Sequence, residues 1–280
     1  MYSELLLTGH KDGAWNMAVD ELLLMYKMPD IKEQCRAILR LYGWERPTIS
    51  LGYFQNPEFD CRNLMEDAKA NGISLDIVRR MTGGGAVLHD REITYSFIIR
   101  ESDDLVPLSI DESYRMVCEG VIEALRMLGA KAHFFNSGVG ERARGKGGFC
   151  FAHHSKYDIV VDGKKLVGSA QRRKNAIILQ HGSIVLDVDK NNRDFLQTKG
   201  IRCFEKATSL SDVLNSQIDF DSVRRALVNG FSRVLGMEFT ESNLTPYEMA
   251  QVKAIKDQKY DINSLVKRKA FKYEEGLART

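Results

Sequence analysis

The chain has 280 residues, 44% of them hydrophobic, and a formal net charge of +2 at pH 7. This size can bury one large core or two small ones, and the balanced charge argues against a dedicated nucleic-acid binder. No apolar run approaches the roughly 18 residues of a membrane span, so no membrane association is predicted.

Hydrophobic periodicity predicts helices and strands along most of the chain. In chain order these are a helix at Asn16–Lys27, strands at Ala37–Tyr42 and Thr48–Gly52 joined by the turn Gly43–Pro47, a helix at Asn56–Asn71, strands at Ile77–Arg80, Ala86–His89 and Thr94–Ile99, a helix at Asp111–Leu128, a strand at Lys131–Phe135, a hairpin of Tyr157–Val161 and Lys165–Ala170, strands at Ala176–Leu179 and Ser183–Leu186, and helices at Asp221–Leu235 and Tyr247–Lys259.

These elements do not alternate as regular strand–helix–strand units. They predict an α+β fold with mixed or antiparallel sheets flanked by helices rather than a doubly wound parallel sheet. We expect a single domain, in which residues 1–205 form the α+β core and residues 206–280 form a helical C-terminal part.

The glycine run Gly83–Gly85 interrupts two apolar strands and is preceded by two arginines. One glycine would satisfy a tight turn, so three in a row favour a loop that contacts a ligand. The dinucleotide pattern G-x-G-x-x-G fails at Leu88. A near match to the phosphate loop at residues 140–147 fails because Gly147 replaces the hydroxyl residue that binds magnesium.

Five cysteines occur with wide spacing and with no CxxC pair or zinc pattern. We therefore expect reduced thiols, no metal and a cytoplasmic location, and the first residues do not resemble a secretory signal peptide. Cys150 differs from the others because it follows a glycine-rich basic loop and precedes His153 and His154. An exposed thiol near imidazoles is suited to a lowered pKa, but a cysteine packed between two phenylalanines fits the pattern equally well.

Lys165, His89 and His181 are also candidates for chemistry. Periodicity does not assign an inward or outward direction to Lys165, and the two histidines are as readily explained as hydrogen-bonded core residues. Taken alone, these residue types favour a structural role for both histidines.

Three segments together resemble the lipoate–protein ligase, octanoyltransferase and biotin–protein ligase superfamily. They are RRMTGGGAVLHD, YDIVVDGKKLVGSAQRR and LQHGSIVLDVD, within a similarity that runs from Trp15 to Asp187. The resemblance implies a biotin/lipoate protein ligase-like catalytic domain that encloses an acyl chain. It implies Lys165 as a catalytic residue, and substrate-binding residues at Arg79, Thr82, Gly83, Gly84, Gly85, His89, Gly168, Ser169, His181 and Gly182.

Within the superfamily, LYGWERPTISLGYFQN and the spacing of Cys150, Phe151, Ser155 and Tyr157 resemble the cysteine-dependent octanoyltransferases of the LipM type. That branch moves octanoyl from acyl carrier protein, through a cysteine thioester, to a lysine of a lipoyl domain, usually the glycine-cleavage H protein. The resemblance implies Cys150 as the nucleophile and a monomer that needs no cofactor. His153–His154 depart from the branch, which commonly has a proline before the serine.

Two other functions remain open at this point. An ATP-dependent lipoate or octanoate ligase would use Lys165 to contact an acyl-adenylate, and Cys150 would be incidental. A non-catalytic acyl- or biotin-binding regulator would bind ligand without turnover, and the absence of a recognisable helix-turn-helix segment argues against a DNA-binding form of it. The basic run Arg142–Lys146 fits either a docking rim for an acidic carrier protein or a solvated loop.

Overall fold

The computed structural model describes residues 2–31, 35–56, 59–135, 151 and 157–260. Within these ranges the strands are β1 (Tyr2–Lys11), β2 (Cys35–Trp44), β3 (Thr48–Leu51), β4 (Asp76–Arg79), β5 (Val87–His89), β6 (Glu92–Arg100), β7 (His133–Phe134), β8 (Ile159–Val161), β9 (Lys164–Lys174), β10 (Ile177–Val185) and β11 (Phe239–Ser242). The helices are α1 (Gly13–Leu22), α2 (Met28–Asp30), α3 (Cys61–Ala70), α4 (Ile110–Met127), α5 (Lys190–Thr198), α6 (Leu210–Leu214), α7 (Phe220–Leu235) and α8 (Pro246–Lys259), and a π-helical turn (Leu23–Lys27) joins α1 to α2.

The larger sheet has the strand order β11-β1-β2-β6-β10-β9-β8-β7. β1 pairs with β2 and β11 in parallel, and the other neighbours are antiparallel. Successive side chains of a strand point to opposite faces. On β6, Tyr95 and Phe97 pack with α4 and α7, whereas Ile98 packs with α1 on the other face. The central strands are therefore apolar on both faces, as expected for a sheet covered on both sides.

The smaller sheet has the order β4-β3-β5, with β4 parallel and β5 antiparallel to β3. Ile49, Leu51 and Ile77 of this sheet pack with Leu64 and Ala68 of α3 in a core of their own. The turn after Trp44 thus carries the chain from one sheet into the other. The predicted α+β class with mixed sheets flanked by helices is confirmed.

Side chains define where the main helices begin. Asp12 is the N-cap of α1 and accepts from the Trp15 amide, and Ser109 caps α4 in the same way. Thr245 and Glu248 form a capping box at the start of α8. Each cap satisfies amides that a helix N-terminus leaves unpaired. The predicted helical periodicity of residues 16–27 is continuous, but its last turn is π-helical.

Several elements differ from the sequence-based expectations. β10 is one continuous strand through His181 and Gly182, whereas two strands were predicted there. β1, α5, α6 and β11 were not predicted at all. β11 lies within the C-terminal part that was expected to be helical, and it joins the edge of the larger sheet beside β1.

Replacing Gly230 with alanine should destabilise the contact between α4 and α7. A Cβ at Gly230 would lie 2.5 Å from the Gly120 carbonyl oxygen and 2.7 Å from the Ala124 amide nitrogen. Since both atoms belong to backbone, we expect an overpacking cost of about 1–3 kcal/mol, which exceeds the roughly 0.5–1 kcal/mol that alanine gains in a helix. Urea denaturation would measure the loss, with the exposed Val234→Ala of the same helix as the control. A free energy of unfolding at or above that of the unchanged chain would contradict this packing.

Candidate active site

A cavity lies between the two sheets. Strands β2, β6, β9 and β10 of the larger sheet, β3 and β5 of the smaller sheet, and helix α1 contribute to its wall. The lining residues are Met17, Tyr42, Trp44, Ser50, Arg80, Val87, His89, Thr94, Gly168, Ser169, Ala170, His181, Gly182 and Ser183.

One side of the cavity is organised around Asp20, which α1 presents to the larger sheet. His181 Nδ1 lies 2.9 Å from Asp20 Oδ2, and the Arg40 guanidinium donates to Asp20 Oδ1 at 2.7 Å. Ser96 and Tyr42 also donate to this carboxylate. Burial raises the pKa of Asp20, but Arg40 and His181 outweigh burial, so that the pKa lies below its usual value. Burial lowers the pKa of His181 despite the nearby carboxylate. The pair is therefore a carboxylate and a neutral imidazole.

The other side contains a second histidine and carboxylate. His89 Nδ1 lies 2.8 Å from Glu92 Oε1, and Ser183 Oγ donates to the same oxygen at 2.8 Å. The Trp44 indole stacks on the His89 ring with centroids 3.9 Å apart, and its Nε1 donates to Glu92 and Thr94. These contacts fix the position of the His89 ring on both its face and its edge.

The glycine run forms a turn against the loop that follows β3. Gly84 has a φ of +96°, and a Cβ at Gly52 would lie 1.9 Å from the Gly84 carbonyl oxygen. Only glycine allows this approach of the two backbones. The buried Arg80 supports the turn by donating to the carbonyl oxygens of Gly83 and Gly85 at 2.8 and 2.7 Å.

Lys165 is buried beside the cavity, with its side chain 1% exposed. Its Nζ lies 2.7 Å from Asp158 Oδ2, and that carboxylate is equally buried. A Cβ at Gly168, which lines the cavity, would be 3.1 Å from Lys165 Cε and 3.4 Å from Nζ. The Phe151 ring centroid is 5.1 Å from the ammonium. The ammonium therefore lies against the cavity wall with a carboxylate as its counter-charge.

The cavity brings together five of the ten predicted binding residues, and Gly83, Gly84 and Gly85 are not among its lining residues. His89, Gly168, Ser169, His181 and Gly182 line the cavity. Thr82 contacts His181 from behind the wall, with its Oγ1 2.7 Å from Nε2.

Arg79 is not among the residues that line this cavity, and its role in substrate binding stays a prediction. It lies in β4, where successive side chains point to opposite sides, and it donates to the carbonyl oxygens of Gly52 and Gln55. Arg80, the next residue, lines the cavity in its place. Cys150, His153, His154 and Ser155 lie outside the described residues.

Sequence reasoning missed the residues that hold the predicted ones in place. They are Asp20, Ser50, Arg80, Glu92, Asp158 and Ser183. Asp20 carried a usable signal, because a charged residue among the apolar positions of a helix usually has a partner when it is buried.

Comparison with known proteins identifies the family. The model of the lipoyl protein ligase A/B catalytic domain matches residues 12–232. The chain belongs to this family. The octanoyltransferase LipM of Kyrpidia tusciae is 42% identical over 258 residues, covering 87% of this chain and 91% of that protein. The octanoyltransferase LipM of Bacillus subtilis is 34% identical over 257 residues, covering 87% and 88%.

Lipoate ligases are among the solved structures that resemble this one. A lipoate–protein ligase A bound with ATP is 28% identical, with a TM-score of 0.70 and coverage of 92% of this chain and 96% of that one. A bipartite lipoate protein ligase from Thermoplasma acidophilum, studied with its E2 lipoyl domain, is 26% identical, with a TM-score of 0.67 and coverage of 92% and 93%.

These comparisons confirm the predicted family, the acyltransferase class and the activity of octanoyl transfer in lipoate biosynthesis. Over the described part of the chain, no helix is long and apolar enough to span a membrane.

Proposed function

We propose that the chain transfers an octanoyl group from acyl carrier protein to a lysine of a lipoyl domain, through a thioester on Cys150. The observation that carries the proposal is the buried Lys165–Asp158 pair beside Gly168, at the wall of the cavity between the two sheets. The named activity of the octanoyltransferase relatives supports the octanoyl group as the cargo.

The chemistry needs no external energy source. Transfer from the thioester of the donor to the thiolate of Cys150 exchanges one thioester for another, and the carrier thiol leaves. The amine of the acceptor lysine then attacks the enzyme thioester, which gives an amide and returns the cysteine thiol. Covalent catalysis thus splits the transfer into two easier steps, and neither step requires ATP.

Two features of the site support these steps. The ammonium of Lys165 is suited to stabilise the negative charge that develops on the acyl carbonyl oxygen. The cavity is suited to hold the tail, because burial of six methylenes at about 0.8 kcal/mol each supplies roughly 5 kcal/mol. Asp158 Oδ2 lies 2.7 Å from this ammonium.

The acceptor we propose is a lipoyl-domain protein such as the glycine-cleavage H protein. The related T. acidophilum ligase, studied with its E2 lipoyl domain, supports an acceptor of this kind. We also propose that the chain acts in the cytoplasm as a monomer, that all 280 residues form one catalytic domain, and that no cofactor takes part.

Incubation with octanoyl–acyl carrier protein tests the nucleophile. Intact-mass spectrometry should show one octanoyl adduct on the unchanged protein and none on Cys150→Ser. Cys61→Ser is the matched control, since Cys61 is partly exposed and lies in α3. An adduct that persists in Cys150→Ser would exclude this nucleophile. Transfer from free octanoate that requires ATP would instead support the ligase mechanism suggested by the ATP-bound structural relative.

A further inference from the structure

Arg80 lies at the centre of the cavity wall and is 4% exposed. Its Nε donates to Thr82 Oγ1 at 3.2 Å, and its Nη1 donates to the carbonyl oxygen and the Oγ of Ser50 at 2.9 and 3.1 Å. Its Nη2 donates to the carbonyl oxygens of Gly83 and Gly85 in the glycine turn. One guanidinium therefore donates to two hydroxyl groups that belong to different strands and loops.

Each of these hydroxyls faces the Nε2 atom of a histidine. Thr82 Oγ1 is 2.7 Å from His181 Nε2, and Ser50 Oγ is 2.7 Å from His89 Nε2. Arginine only donates hydrogen bonds, so both hydroxyl oxygens accept from Arg80. Among the described residues, neither hydroxyl proton has another acceptor within hydrogen-bond distance. Each hydroxyl therefore donates its proton to Nε2, and each Nε2 is an acceptor.

The opposite nitrogen of each ring faces a carboxylate. His181 Nδ1 contacts Asp20, and His89 Nδ1 contacts Glu92. An ionised carboxylate only accepts, so both rings carry their proton on Nδ1. The result is a continuous chain of hydrogen bonds that runs Asp20–His181–Thr82–Arg80–Ser50–His89–Glu92.

This arrangement explains how a wall with two histidines and an arginine can face an acyl chain. Ser50, Arg80, His89 and His181 all line the cavity, but their polar atoms bond to one another. A polar group left without a partner against an acyl chain would cost binding, whereas a satisfied group presents mainly its carbon atoms.

We propose that Arg80 is a positioning residue that holds the hydroxyls of Ser50 and Thr82 as hydrogen-bond donors to His89 and His181, and so makes the polar wall of the cavity compatible with an aliphatic acyl chain. The proposal rests on the acyl-binding role of this cavity in the proposed function. A lysine side chain has one nitrogen atom and lacks the planar array of donors of a guanidinium. It therefore does not donate to both hydroxyls in this geometry.

Nitrogen-15 NMR of the imidazole rings, with His89→Gln and His181→Gln for assignment, tests the tautomers directly. The unchanged protein should show Nδ1–H in both rings. Arg80→Lys should shift the Nε2 resonance of at least one ring, because the hydroxyl at that nitrogen is no longer held as a donor, and calorimetry should show octanoate binding weakened about tenfold. Arg100→Lys is the matched control, because Arg100 binds only the backbone carbonyl oxygens of Met28, Ile31 and Cys35 and the Met28 sulfur among its described contacts.

Thr82→Val keeps the test decisive if Arg80→Lys does not fold. It removes only the hydroxyl between Arg80 and His181, so the Nε2 resonance of His181 should shift while that of His89 does not. An Nε2–H tautomer or an imidazolium in either ring of the unchanged protein at neutral pH overturns the proposal, as does an Arg80→Lys protein with unaltered Nε2 resonances and octanoate affinity. These spectra do not depend on the Cys150 adduct, so failure of the transfer mechanism is distinguishable from failure of this inference.

Discussion

Lys165→Met is expected to lower the rate of octanoyl transfer by about 10²- to 10³-fold, the usual effect of removing one group that stabilises a developing oxyanion. Methionine keeps the length and apolar character of the side chain but has no ammonium. The Lys165 side chain is 1% exposed and adjoins Gly168 at the cavity wall. Single-turnover transfer from octanoyl–acyl carrier protein to a lipoyl domain would measure the rate.

The same substitution removes the ammonium that lies 2.7 Å from the buried Asp158 carboxylate, and loss of one partner of a buried ion pair costs about 3–5 kcal/mol of folding free energy. Loss of rate through unfolding must therefore be separated from loss of chemistry. The double variant Lys165→Met, Asp158→Asn removes both charges and should recover most of the stability. If the double variant also recovers the rate, Lys165 acts only through the fold and its catalytic assignment is wrong.

Asp20→Asn is expected to lower the free energy of unfolding by about 3–5 kcal/mol, because it leaves the Arg40 guanidinium buried without a negative partner. Both side chains are 0% exposed, and they are joined at 2.7 Å. Urea denaturation would measure the loss. Glu21→Gln is the control, since Glu21 is the next residue of α1 but pairs with Lys259 and Tyr260 at the margin of α8. An equal loss of unfolding free energy in the two variants would show that the Asp20–Arg40 pair contributes no more to stability than the contacts of Glu21.

The Asp20–His181 pair also predicts a loss of stability in acid. The folded-state pKa of His181 is lowered, so the unfolded chain binds the proton more readily. The contribution of His181 is therefore complete above the unfolded value of about 6.5 and declines as pH falls below it. The pKa of Asp20 is lowered as well, which adds a second loss as pH falls through its unfolded value of about 3.9 and down to its folded pKa. His181→Gln should remove the first decline and keep the second, as read from unfolding midpoints between about pH 7 and 3.

Local sequence patterns predicted the elements whose conformation is determined by residues close by in the sequence. Helix α4 matches its predicted range within one residue at each end, because Ser109 caps it and its apolar stripe is regular. The Asp162–Gly163 turn has positive φ at both residues, as the hairpin signal requires. In contrast, β10 was divided into two strands because His181 and Gly182 interrupt its apolar run, and that run continues only because the strand is covered on both faces.

Site residues that belong to a sequence motif were predictable. Residues whose role depends on a partner far away in the sequence were not. The glycine run and the histidines stand out in the sequence, yet His181 depends on a carboxylate 161 positions away. The sequence alone does not distinguish the roles of Arg79 and Arg80. They differ because alternation at the end of β4 directs the Arg79 side chain to the loop carbonyl oxygens and the Arg80 side chain to the cavity.

The two ends of the described chain meet in space. β11 is hydrogen-bonded to β1, and Lys256 and Tyr260 of the last helical segment contact Asp12 and Glu21 of α1. During synthesis on the ribosome, these partners of the first strand and helix emerge more than two hundred residues after them. Helix α1 carries the Asp20 carboxylate, so its packing is completed only after residue 260 has emerged. The candidate site is thus assembled late in the folding of this segment.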